Sequence, residues 1–165
     1  MKTKIKKNKM KKIVIALDYH PAAQKVAEEG YKLCEAMNAQ ATLLHVISDP
    51  SYYASTIYDP IMGFGGYMNI DMMEPGFLVD LKKVSMVFLE NTKAHLGNDD
   101  IKTIVKEGDF AECILEAAKE ISADIIVMGS HSRKWLEKIV MGSTTEKVLH
   151  HTTIPLFIIP TKKQD

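Results

Sequence analysis

Two Met-Gly-Ser triplets, Met128-Gly129-Ser130 and Met141-Gly142-Ser143, bracket a short segment that contains Ser132, Arg133, two lysines and the only tryptophan, Trp135. Glycine beside small hydroxyls lets backbone N–H groups approach an anion closely. The run Ser143-Thr144-Thr145-Glu146 fits a capping box, in which Ser143 caps a first-turn N–H and Glu146 reaches back. A helix opening there, straight after Gly142, would aim its free N–H groups at a phosphate. A well-capped helix behind a glycine turn accounts for the same residues without any ligand.

Other arrangements carry less chemistry. There is no GxGxxG after the first apolar run and no GxxxxGK[ST] anywhere, which argues against dehydrogenase and P-loop chemistry. The GFGG at 63–66 follows no strand pattern and opens no helix pattern. His131 lies between Ser130 and Ser132, but adjacent residues rarely reach one another in a nucleophile–base geometry, and no acidic orienter is evident. His150-His151 reads as a pair at a helix end, and His45 as a structural histidine inside a strand. Asp18 stands alone at the end of the first strand, without the acidic partner that a phospho-acceptor site needs. Neither a catalytic residue nor a metal-ligand set is assigned.

The elements that must position these residues alternate. IVIAL (13–17) and DIIVMG (124–129) are continuous apolar runs, the pattern of strands buried on both faces. ATLLHVI (41–47) and IPLFIIP (154–160) read the same way, with KTIVKEG (102–108) as a more polar edge strand. Between them, helical spacing joins Val26, Leu33, Cys34 and Met37 after Pro21, then Phe77 to Leu89 up to Gly97, then Phe110, Ile114, Ala117 and Ile121. Strands separated by helices predict an α/β fold, a parallel sheet covered on both faces. With strand order 3-2-1-4-5, Asp18 and Gly129 would face one another across the crevice where that order reverses.

A chain of 165 residues, 46% hydrophobic and 25% charged, suits one globular domain. The domain reading is a basic disordered tail at 1–11, a folded unit at 12–161 and a long irregular loop at 48–75. Seven of the first twelve residues are lysine, so the remainder is acidic, near −7, which argues against a nucleic-acid-binding face. No apolar run reaches membrane length. Cys34 and Cys113 lack CxxC spacing and read as core thiols of a cytoplasmic protein.

The segment Gly129, Ser132, nine residues, then Gly142-Ser143 resembles the G-x2-G-x9-G-[ST] signature of the universal stress protein family. IVIALD, ATLLHVI, KEGDFAECILEAAKEISADIIVMGSHS and IPLFIIP extend the resemblance over nearly the whole chain. It implies a Rossmann-like three-layer α/β/α domain with five parallel strands, and a homodimer joined through the last strand, Ile154 to Ile159. It also implies a regulatory stress-response protein that binds ATP, ADP or AMP with weak or no hydrolysis. A nucleotide-free dimeric interaction protein of the same fold is the alternative. Carried over by position, Asp18 would sit beside the ribose, Ala16 would line the crevice, and the Val46 backbone would meet adenine. Met128 and Gly129 would begin the loop over the ribose, Ser132 and Arg133 would lie along the phosphates, and Gly142, Ser143 and Thr144 would hold them. Magnesium or manganese would be bound only through the phosphates.

Ser132 departs from the signature's second glycine. If that position needs a left-handed backbone, serine costs about 1–2 kcal/mol, roughly tenfold in affinity. If it needs close approach to a phosphate, the side chain could block binding outright, although its hydroxyl can also donate to a phosphate oxygen.

Overall fold

A computed structural model describes residues 9–19, 21–48, 77–130 and 141–161, with the backbone alone for 77–80. The elements run β1 (Lys12–Leu17), α1 (Ala23–Met37), β2 (Gln40–Ile47), α2 (Phe77–Leu96), β3 (Lys102–Glu107), α3 (Phe110–Glu120), β4 (Ile125–Gly129), α4 (Ser143–His151) and β5 (Leu156–Ile159). All paired strands are parallel and the order is β3-β2-β1-β4-β5. This is the five-stranded, Rossmann-like α/β sheet that the alternation predicts, with the polar strand β3 at one edge.

Period-two alternation along the central strands divides the core into two layers. Ile13, Ile15 and Leu17 of β1 and Leu43 of β2 face α1 and α2, where they meet Val26, Cys34, Leu81 and Leu89. Val14, Leu44, Val46, Ile126 and Met128 face α3 and α4, where they meet Ile114, Ala117 and Val148. Strands that are apolar on both sides are thus explained by helices on both sides. A Cβ at Gly30 would lie 3.0 Å from Ile15 Cδ1 and 3.1 Å from Val127 Cγ1. The bare backbone there lets α1 settle onto β1 and β4.

Some expected boundaries move. Pro21 lies in the turn before α1, and the buried face of that helix is Ala23, Val26, Ala27, Gly30 and Cys34. Met37, expected on that face, is exposed, because Asn38 ends the helix in the left-handed region one residue later. The helix α2 ends where expected: Gly97 has φ +72° and its N–H returns to the Lys93 and Ala94 carbonyls. β5 begins at Leu156, not Ile154, because the Thr152 hydroxyl accepts from the Ile154 N–H and donates to the Ile154 carbonyl, holding that residue in a turn.

Cys34 and Cys113 are both free and buried. Burial pushes the Cys34 thiol up to about 11 and also raises that of Cys113, so neither is a reactive thiolate at neutral pH. Among the described residues no helix is long and apolar enough to cross a membrane.

Candidate functional site

β1 has β2 on one side and β4 on the other, so the chain reverses its direction of winding between them. A crevice lies there, at the carboxyl ends of β1 and β4. It is an open cleft, about 710 Å³ when the solvent-exposed space at its mouth is included. One end is apolar: Leu44 and Val46 of β2, Phe110 and Ile114 of α3, and Met128 of β4. The other end carries Gly142, Thr144 and Thr145 at the start of α4, together with Thr161 beyond β5. Ala16, Leu17 and Asp18 form the β1 wall, and Asp18 is the only ionisable residue among the described lining.

Hydrogen bonds fix the polar end. The Thr145 hydroxyl donates to the Gly129 carbonyl at 3.0 Å, tying the first turn of α4 to the last residue of β4. The Gly142 N–H donates to the Ser130 carbonyl at 2.8 Å, joining the two flanks of the 131–141 segment. Ser130 donates its N–H to the Ile159 carbonyl, and its Oγ accepts from the Thr161 N–H at 3.2 Å. Ser130 is therefore part of the scaffold joining β4 to β5.

The capping box does not form. Gly142 is the N-cap, with extended backbone and no side chain to offer, and its carbonyl accepts the Glu146 N–H at 2.9 Å. Ser143 becomes the first helical residue, and Glu146, one turn in, lies 3.9 Å from His150. The Ser-x-x-Glu spacing thus sits one residue past the true cap. The consequence favours a ligand, because no side chain of the cap competes for the first-turn N–H groups.

Asp109 caps α3 by accepting from the Glu112 N–H at 3.0 Å. The Lys147 ammonium of α4 sits 3.0 Å from the same carboxylate. The backbone hydrogen bond first, and then the lysine, lower the Asp109 pKa below its ordinary value. This contact joins the helices that carry the two ends of the crevice.

Seven of the ten residues expected at the site line it: Ala16, Asp18, Val46, Met128, Gly129, Gly142 and Thr144. Ser143 stands beside it, exposed and outside the lining. Ser132 and Arg133 lie outside the described residues, as do His131, Trp135, the GFGG run, residues 1–8 of the lysine tail, and 49–76. The sequence reading missed Thr145, Thr161, Phe110 and Ile114. The first is next to an expected residue, but the others reach the crevice only through helix packing and the β4–β5 pairing.

His151 Nδ1 donates to the Lys147 carbonyl at 2.7 Å, the behaviour expected of a histidine closing a helix. Among the described residues, no group of three or more His, Cys, Asp or Glu side chains is placed to hold a metal. The crevice thus combines an apolar lining at one end, a single carboxylate, and threonine hydroxyls beside the N-terminus of α4 at the other.

Fold and crevice together define a doubly wound α/β domain with a cleft at the switch point. The model of the Universal stress protein family matches residues 9–160, and the chain belongs to that family. Universal stress protein MJ0577 of Methanocaldococcus jannaschii is 28% identical over 156 residues, covering 92% of this chain and 96% of its own. A solved structure of MJ0577 superposes with a TM-score of 0.70 at 24% identity, over 93% of this chain and 98% of that one. The universal stress protein from Archaeoglobus fulgidus solved in complex with dAMP has a TM-score of 0.57 at 16% identity, over 91% and 97% of the two chains. Another universal stress protein, solved in complex with cAMP, gives 0.58 at 16% identity, over 93% and 98%.

Proposed function

We propose that the crevice binds an adenine nucleotide, with ATP and magnesium as the working pair, and that the protein is a regulatory member of its family. The observation that carries this reading is the meeting of Ala16, Asp18, Val46, Met128, Gly129, Gly142 and Thr144 in one cleft. The complexes of two structural neighbours with dAMP and cAMP support the class of ligand. In this reading the base lies in the slot of Val46, Ile114 and Met128, and the Asp18 carboxylate accepts from ribose hydroxyls. The phosphates meet the N-terminus of α4, where N–H groups and the macrodipole favour negative charge. Ser132 and Arg133 approach the phosphates from the intervening segment, and magnesium or manganese enters with the phosphates.

The sequence marks no water-activating base and no arginine finger, so slow turnover or none is expected. We place the protein in the cytoplasm, where its two thiols stay reduced. We also infer a homodimer through antiparallel pairing of β5. That strand is a sheet edge, and Phe157 on it and Leu149 on the adjoining helix are exposed.

The test is to denature the purified protein and identify released nucleotide by chromatography, then to titrate stripped protein with MgATP by calorimetry. Released ATP, ADP or AMP, or saturable heat, is expected. Absence of both at millimolar ATP would leave the nucleotide-free interaction protein as the better account.

A further inference from the structure

Asp18 enters the crevice from the point where the chain leaves β1, and both of its neighbours are held from the opposite face of the sheet. Leu17 pairs with His45 in the β1–β2 register, so their side chains emerge on the same face. There the His45 ring lies 2.8 Å through Nδ1 from the Leu17 carbonyl. A carbonyl can only accept, so Nδ1 carries the proton. On the other side of Asp18, the Tyr19 ring packs against His45 with centroids 4.3 Å apart and against Phe88 of α2 at 5.1 Å. The Tyr19 hydroxyl meets Ser85 Oγ of α2 at 2.7 Å. His45 is 2% exposed, Tyr19 7% and Ser85 0%.

This cluster is not required for burial. The other residues of β2 that face α1 and α2 are Ala41, Leu43 and Ile47, all apolar. An aliphatic side chain at position 45 would fill the layer without the need to satisfy buried polar atoms. What a histidine adds is direction: a hydrogen bond to one backbone carbonyl at a strand end. We propose that His45 is a positioning residue for the crevice. By holding the Leu17 carbonyl and the Tyr19 ring together, it fixes the turn that aims Asp18 at the ligand. Because Tyr19 is anchored on Ser85 and Phe88, the orientation of Asp18 is also referred to α2. The inference rests on the reading of the crevice as a nucleotide site.

Two substitutions separate direction from polarity. The amide nitrogen of asparagine stands as many bonds from Cβ as Nδ1 does, so His45→Asn keeps the donor to Leu17. Glutamine places its nitrogen one bond further, so His45→Gln is equally polar but loses that bond. Full-length wild type, both variants, Asp18→Ala and each double variant are titrated with MgATP by calorimetry. We expect His45→Asn within about threefold of wild type and His45→Gln about tenfold weaker, as for coupled neighbouring groups. In the Asp18→Ala background, His45→Gln should weaken binding no further.

A loss that persists undiminished without Asp18 would overturn the positioning role while leaving nucleotide binding intact. Wild type that fails to bind at millimolar MgATP would overturn the nucleotide reading, and the proposal with it. Should His45→Gln fail to fold, Tyr19→Phe, which keeps the rings in place and removes only the hydroxyl on Ser85, takes its place in the cycle. A few-fold loss confined to the background that retains Asp18 is expected there, and an additive loss overturns the proposal.

Discussion

Thr145 offers a measurable link between stability and the site. Its side chain is 4% exposed, and its hydroxyl donates to the Gly129 carbonyl at 3.0 Å, the bond that seats α4 on the end of β4. Thr145→Val exchanges the hydroxyl for a methyl of the same shape and keeps the β-branch, so helix propensity hardly changes. The Gly129 carbonyl then loses its side-chain donor in a closed environment, which should destabilise the protein by about 1–2 kcal/mol. For a domain of this size each kcal/mol lowers Tm by about 2–4 °C, so a drop of roughly 2–8 °C is expected. Thr145→Ser keeps the hydroxyl and removes one buried methyl, about 0.8 kcal/mol. The two variants should overlap in stability but part in affinity. Valine lets the α4 N-terminus drift from Gly129 and weakens MgATP several-fold, whereas serine stays near wild type. Differential scanning calorimetry and binding calorimetry on the three proteins decide the matter. Equal MgATP affinity in all three, or a valine variant as stable as wild type, would refute the claim that this bond sets the crevice.

Further outcomes follow from other contacts. Asp109→Ala removes the cap of α3 and should lower stability by about 1 kcal/mol in thermal melts at neutral pH. Because the Asp109 pKa is depressed in the folded protein, its contribution is complete above the ordinary value of 3.8 and fades as pH falls through the lower folded pKa. The acid limb of the wild-type stability curve should therefore be shallower in Asp109→Ala, as followed by circular dichroism between pH 5 and about 2. Gly30→Val would drive a branched side chain into Ile15 and Val127, already 3.0 and 3.1 Å from an added Cβ. Overpacking of about 1–3 kcal/mol is expected in urea unfolding, and no change would contradict the close seating of α1. Phe157→Asp places a charge on the exposed edge strand and, if β5 forms the proposed dimer seam, should give a monomer in sedimentation where wild type gives a dimer, with the fold retained by circular dichroism.

The sequence revealed most where one physical rule acted alone. Residues 13–17, 41–47 and 125–129 are largely apolar without alternation, and burial on both faces of a parallel sheet explains such runs, so the layered fold could be read directly. The order 3-2-1-4-5 rested on the expected half-and-half layout and not on the residues. The crevice followed, because Asp18 and Gly129 are each the first residue free of the apolar pattern or the last in it. Reading failed where two rules competed. Ser143 and Glu146 have capping-box spacing, yet the extended Gly142 takes the cap and moves Ser143 into the helix. Ile154 belongs to an apolar run, but the Thr152 hydroxyl captures both its N–H and its carbonyl. Thr161 could not be found by any local rule, since it reaches the cleft by bonding to Ser130, 31 residues earlier. Phe110 and Ile114 were legible as core positions of α3. Their place in the cleft wall depends on how that helix lies over β2.

The central claim is that nucleotide binds in the cleft between the ends of β1 and β4. Its most direct test is a two-dimensional amide NMR titration of the protein with MgATP. The account predicts saturable shifts at Asp18, Val46, Gly129, Gly142 and Thr144, with the β3 edge around Lys102–Glu107 unmoved. No shifts at millimolar MgATP, or shifts confined to surfaces away from these residues, would contradict it.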